Sequence, residues 1–299
     1  MIERVSFLVD GATVVGNLHT PATLSAKLPG VVIAGPMTSV KEQVTGTYAA
    51  ALAAKGFAAL SIDHRHYGES GGAPRGYEYY PHKIEDLHAA FDFLKAHGSV
   101  VDAARLGAVG VCLGSGYMAR TVADRDDVKA FAAVAGYYRD VPEMKAKDAA
   151  GFEAKVAAGR EARNLYETTG ELQTIPAVLP PDSGDAAMTM ASTYAYYGPG
   201  GRKEVPNYSN KFAVMSREHF LQFDVQSAAP KLDGTPFLQL HGPNAIAPAL
   251  AARFFEAVPG DKKAKVELDS PDQTTIYDDA TIVEQCATAI AAFFADYGV

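Results

Sequence analysis

The stretch RLGAVGVCLGSGYM, from Arg105 to Met118, reads as a buried strand turning sharply into a helix. The apolar run Leu106 to Val111 leads into Gly110-Val111-Cys112-Leu113-Gly114, and small residues continue through Ser115 and Gly116. This is the spacing of a nucleophile elbow, Gly-x-nucleophile-x-Gly, with cysteine where serine is commoner. Glycines two before and two after the nucleophile let neighbouring chain pass without a Cβ clash, and the turn strains the nucleophile's own backbone. The first N–H groups of the following helix then face the thiol. They favour its ionised form and offer donors to an oxyanion.

Outward from this turn, the chain alternates strand and helix. Val5 to Val9 and Thr13 to Leu18 form a hairpin about Asp10-Gly11. Val31 to Ala34 and Phe57 to Ile62 are short apolar runs of the kind found in central parallel strands. A helix from Tyr48 to Lys55, stopped by Gly56, lies between them. Ile84 to His97 is an amphipathic helix, and Ala130 to Ala135 is another buried strand. From Tyr137 to about Ala229 the composition shifts to Ala, Tyr, Pro and Gly, with helical pieces between Met144 and Tyr166. Pro236 to His241 resumes the strands, followed by helix Ala249 to Ala257, strand Lys265 to Leu268 and helix Ile282 to Phe294. Such alternation with short loops implies right-handed crossovers, hence a mostly parallel sheet with helices on both faces. The expected division is a core of residues 1–138 and 229–299 with residues 139–228 inserted as a cap.

The 299 residues, 48% hydrophobic, are enough for one large core, and a formal charge of −8 disfavours a nucleic-acid partner. Two cysteines make no disulfide framework, and Cys286, in an Ala-rich helical stretch, reads as a small buried apolar residue. The N-terminal MIERVSFLVDG has no apolar signal-like region, and no apolar run approaches membrane length, so a cytoplasmic protein without membrane association is expected.

The order of elements resembles the α/β-hydrolase fold. The elbow GVCLGSGY resembles that of dienelactone-hydrolase-like proteins. A closer resemblance is to a bacterial group of α/β hydrolases carrying GPMTSVKEQ, DHRHYGES, APRGYE, GVCLGSGYMA, FAVMSREHFLQFD and QTTIYDD, and it spans nearly the whole chain. The resemblance implies that a catalytic acid follows the strand ending at His241 and a catalytic histidine follows the strand ending near Leu268. Asn244 and Gln273 stand at those places, and no histidine occurs after His241. Glutamine cannot take up and release a proton at neutral pH, so Cys112, Asn244 and Gln273 do not make a charge-relay triad. The resemblance also places one oxyanion donor on the Leu113 N–H. The other would fall on Pro36, which has no N–H, so Met37 is the substitute.

His241, at the carboxyl end of a central strand, is the expected replacement base, ahead of His219, His66 and His82. Asn244 would hold one ring nitrogen, and Cys112 would be mildly acidified relative to a free thiol. Tyr137, His219, Asn244 and Gln273 are the expected substrate-binding residues. The insertion's tyrosines (Tyr137, Tyr138, Tyr194, Tyr196, Tyr197, Tyr208) offer either a pocket for an aromatic or polyketide-like molecule or packed cap core. Asp63, His64, Arg65, His66, Gly68, Glu69 and Ser70 have metal-like composition, but their spacing suits a loop latched by an Asp–Arg pair, with Arg75 and Glu78 tying it down. Lys41 and Glu42 read as a capped, solvated turn. No metal or cofactor is expected, and a homodimer is left open. Two classes of function remain: acyl chemistry on an ester, lactone or thioester through Cys112, or a non-hydrolytic use of the pocket as a lyase, isomerase or binding protein.

Overall fold

In the computed structural model, which describes residues 1–299, an antiparallel hairpin opens the chain. It joins β1 (Ile2–Val9) to β2 (Ala12–His19). Asp10 and Gly11 both have positive φ (46° and 76°), the paired left-handed turn that matches strand twist. There follow β3 (Leu28–Ala34), α1 (Val44–Ala54), β4 (Ala58–Asp63), α2 (Tyr80–Ala96), β5 (Val101–Val111), α3 (Gly114–Ala123) and β6 (Val128–Val134). The next segment carries α4 (Val141–Lys147), α5 (Ala149–Thr169), β7 (Thr174–Ile175), α6 (Ala191–Tyr197), β8 (Phe212–Ala213) and α7 (Ser216–Phe220), then a 3-10 turn over Gln226–Lys231. The chain closes with β9 (Phe237–His241), α8 (Pro248–Ala257), β10 (Lys263–Glu267), α9 (Thr275–Asp278) and α10 (Ala280–Asp296).

Eight strands form one sheet in the order β1-β2-β4-β3-β5-β6-β9-β10, parallel from β4 onward, with β1 and β2 antiparallel. Its two faces bury separate apolar clusters. One packs Leu87 and Phe91 of α2, Met118 of α3 and Phe254 of α8. The other packs Tyr48 and Leu52 of α1 with Ile290 and Phe294 of α10, and Cys286 lies fully buried within it. The helices begin earlier than periodicity alone suggests. α1 starts at Val44, and α2 starts at Tyr80, where Pro81 occupies the first turn without losing a needed N–H.

β6 and β9 are sheet neighbours, yet the chain between them leaves the sheet entirely. Its two ends lie side by side, because the Val225 and Gln226 N–H groups both donate to the Arg139 carbonyl at 2.9 and 3.2 Å. No helix of the chain is long and apolar enough to cross a membrane.

The loop after β4 is latched differently from the sequence expectation. Asp63 pairs with Lys41 (2.8 Å), while Arg65 reaches Asp86 and Glu85 (both 2.6 Å). Lys41 is therefore no solvated turn residue, for its side chain is fully buried between Asp63 and Glu69. Partners some twenty residues apart leave no local trace in sequence. Arg75 and Glu78 do hold this loop, through the Ser70 and Gly68 carbonyls and the Tyr67 hydroxyl respectively.

Candidate active site

Cys112 sits between β5 and α3 with φ +56°, a left-handed conformation rare outside glycine. The strain is held by packing on both sides of it. A Cβ on Gly110 would lie 2.5 Å from Ser115 Cα, and one on Gly114 would lie 2.3 Å from the Ala34 carbonyl oxygen. Only glycine lets the elbow press against the end of β3, and that contact brings Pro36 and Met37 over the thiol. The Leu113 and Met37 N–H groups donate to no backbone carbonyl. Both residues line a mostly apolar cavity of about 280 Å³ that also contains Cys112. Two N–H groups beside the sulfur, neither of them committed to a backbone carbonyl, are the kind of donor set an oxyanion needs.

Behind the sulfur stands Gln273. Its carbonyl oxygen accepts from the Ile246 N–H (2.9 Å), and its amide donates to the Ala135 carbonyl and the Tyr277 hydroxyl oxygen (both 2.9 Å). Gln273 is thus a bracket joining the ends of β6 and β9 to α9, and it fixes Tyr277 one helical turn on. Burial pushes the Cys112 thiol above its ordinary value, opposed by hydrogen bonds from Tyr277, the Leu113 N–H and Gln273. The expected acidification is therefore reversed. Part of the residue faces the cavity, yet the apolar surroundings outweigh the donors. Tyr277 is itself held protonated well beyond the usual tyrosine range, by burial first and then by the nearby sulfur, so it serves as a donor and not a base.

The cavity brings together Cys112, Leu113, Met37, Tyr137 and Gln273 from among the expected residues. It does not include His241, Asn244 or His219. Alternation along β9 puts Gln239 and His241 on one face, where they line a groove with Phe255 and Lys265. The His241 ring sits 2.9 Å from the Gly242 carbonyl oxygen and burial lowers its pKa, so it is a neutral strand-end histidine lining a different groove from Cys112. Asn244 is exposed and donates to the Ser270 carbonyl. His219 packs its ring edge-on to Tyr79, 5.1 Å between centroids. Of the insertion's tyrosines only Tyr137 and Tyr197 reach the cavity, while Tyr138, for example, stacks on Phe254. No three His, Cys, Asp or Glu side chains are grouped to hold a metal. Sequence reasoning missed Tyr277, which the turn from Gln273 into α9 brings back within 2.9 Å of the Gln273 amide.

This geometry predicts the pH response of the thiol. Alkylation of Cys112 by iodoacetamide is expected to keep accelerating above pH 9. Tyr277→Phe removes a donor to the thiolate, so its midpoint should move up by about one unit. The His241→Asn profile should superimpose on the parent's. A plateau already reached below pH 8 would contradict the placement.

No family model matches the chain. It is 28% identical over 271 residues to the uncharacterized protein YcjY of Escherichia coli strain K12, covering 88% of this chain and 87% of the relative. Identity is 26% over 282 residues to the polyketide transferase claH of Penicillium crustosum, covering 88% of each. It is 29% over 279 residues to the thiohydrolase aneE of Aspergillus aculeatus, covering 87% and 83%. The crystal structure of hypothetical protein PA2218 from Pseudomonas aeruginosa matches with a TM-score of 0.84 at 24% identity, over 99% of this chain and 94% of that one. The fold is the α/β-hydrolase fold, with an eight-stranded, mostly parallel sheet flanked by helices. In sequence the chain is similar to YcjY and to the fungal transferase and thiohydrolase.

Proposed function

We propose that the protein is an enzyme acting on a small ester, lactone or thioester, that it carries the acyl group on Cys112, and that residues 139–228 close over the substrate as a cap. The observation that carries this reading is Cys112 at φ +56° in a cavity it shares with Leu113 and Met37, whose N–H groups donate to no backbone carbonyl. In the proposed step the Cys112 thiolate adds to a thioester carbonyl, and the oxyanion rests on those N–H groups. Collapse breaks the bond to the leaving sulfur, which takes up the proton given up by Cys112, and acyl-Cys112 remains. A cysteine tolerates the missing base better than serine would, since some thiolate is present at neutral pH.

No histidine or carboxylate lines the cavity, so nothing there activates water. Transfer of the acyl group to a better nucleophile, or cyclisation onto one within the substrate, is favoured over hydrolysis. The names of the fungal transferase and thiohydrolase fit thioester chemistry on this fold, and the cysteine elbow fits the dienelactone-hydrolase-like subgroup. One observation favours a second reading, a lyase, isomerase or binding protein, namely that the thiol sits in a mostly apolar cavity with no histidine or carboxylate to ionise it.

Intact mass after incubation with the N-acetylcysteamine thioester of hexanoic acid decides between them. The expected result is one hexanoyl group, mapped to Cys112, with nitrophenyl acetate turnover far below the roughly 10 per second common to enzymes. Tight binding of the thioester with no adduct would overturn acyl transfer in favour of the second reading.

A further inference from the structure

Four cationic side chains are buried in this protein: Lys41, Arg65, Lys83 and Arg139. The first three each hold a carboxylate at 2.8 Å or less: Lys41 with Asp63, Arg65 with Asp86, Lys83 with Glu78. Arg139, 2% exposed, has none within ion-pair distance. Its guanidinium donates to the Phe220 and Leu221 carbonyls (2.8 and 3.2 Å), lies over the Phe220 ring at 4.3 Å, and leaves its Nε without any partner. The nearby acid, Asp224, is occupied by the Val141 and Ser227 N–H groups. Neutral carbonyls satisfy donors but supply no counter-charge, and an uncompensated buried cation is costly to keep.

Arg139 lines the same cavity as Cys112. It is also tied to the elbow through the backbone, since the Tyr137 N–H donates to the Cys112 carbonyl at 3.0 Å. We infer that Arg139 is the anchor for a substrate carboxylate, so that the acyl groups taken up by this site are short, with an apolar middle and a carboxylate at the end remote from the reacting carbonyl. A guanidinium is suited to that partner because its planar fork matches a carboxylate. The lining is mostly apolar and includes Met144, Met188, Met190, Phe220 and Leu221, which suits a methylene chain. The cavity's 280 Å³ corresponds to about nine waters, the bulk of a six-carbon dicarboxylic half-acyl group.

This inference rests on the acyl-transfer reading, and its test separates the two. The probes are the N-acetylcysteamine half-thioester of adipic acid and its isosteric primary amide, which differ in the remote charge alone. The parent protein is expected to acylate about tenfold or more faster, in second-order rate, with the acid. Arg139→Gln should bring the two probes together, and Arg139→Lys should keep a preference for the acid. Equal rates in the parent, which need no variant to observe, would overturn the anchor. So would a preference that survives in Arg139→Gln, for the charge would then be read elsewhere and Arg139 would merely tie the cap. Binding of hexanoate and hexanamide to the Cys112→Ala protein completes the separation. If no thioester acylates the parent but hexanoate outbinds hexanamide only while Arg139 is present, acyl transfer fails and the anchor stands.

Discussion

Replacing Glu78 with glutamine is expected to lower the unfolding free energy by about 3–5 kcal/mol, among the largest effects of any single substitution here. The Glu78 side chain is fully buried. Its carboxylate accepts from the Tyr67 and Tyr117 hydroxyls (both 2.7 Å) and the Thr38 N–H (2.9 Å), and it lies 2.8 Å from the Lys83 ammonium. Every group facing it is a donor, so an amide NH₂ in the same place meets donors, and Lys83 is left as an unpaired buried cation. Burial alone would raise the Glu78 carboxyl, but Lys83 and the two tyrosines outweigh it and hold the carboxyl below its ordinary range. The sign for stability follows. A depressed folded pKa contributes stability that is present above about pH 4.3 and lost as pH falls through the folded value. The glutamine variant should lack that part of the acid dependence. Urea unfolding of both proteins at pH 7 and at about pH 3 measures it, and a difference under about 1 kcal/mol between the two proteins at pH 7 would mean the network is dispensable.

The same substitution should reach the active site. Thr38, at φ +60°, is held in that conformation by Glu78 and follows Met37 directly. The Glu78 N–H equivalent on the other side, its own backbone, donates to Ser216 of the insertion at 2.9 Å. Glu78 therefore joins the loop carrying Met37, the elbow helix through Tyr117, and the proposed cap. Loosening Thr38 would displace the neighbouring Met37 N–H, a proposed oxyanion donor, and loss of such a donor typically lowers rate about 10²-fold.

Much of this fold was legible because it rests on local chemistry. The Asp10-Gly11 turn, the apolar runs of β3 and β4, and the Gly-x-Cys-x-Gly spacing each specify their conformation within a few residues. The sites that eluded sequence reasoning depend on distant partners or on strand phase. Lys41 and Asp63, or Glu78 and Lys83, could not be told from surface charges until the chain folded. His241 was placed at the right edge of the sheet, but the two-residue alternation of β9 aims it toward α8. Arg139 carries no motif at all. Its meaning comes from the counter-charge that it lacks, which only the packed structure reveals.

Cys112→Ser should abolish acylation, with a fall on the order of 10³-fold or more. In a hydrolase with an intact triad, serine is the working nucleophile because a histidine removes its proton as it attacks. Here Gln273 stands behind the elbow, bonded to Ile246, Ala135 and Tyr277, and an amide cannot take up a proton at neutral pH. Tyr277, the group that bonds the sulfur, donates and does not accept a proton. A serine hydroxyl in that position has nothing to ionise it, whereas even an upward-shifted thiol keeps some thiolate, the nucleophile of the proposed step, with Leu113 and Met37 as its proposed oxyanion donors. The fold should tolerate the change, because serine fills nearly the same space and the strained φ is fixed by Gly110 and Gly114. Matched thermal melts would verify this. The measurement is the acylation rate of the parent and the serine variant by the same thioester, followed by intact mass from pH 7 to pH 9. If the serine protein acylates within about tenfold of the parent, a general base operates in the cavity and the thiolate mechanism is wrong.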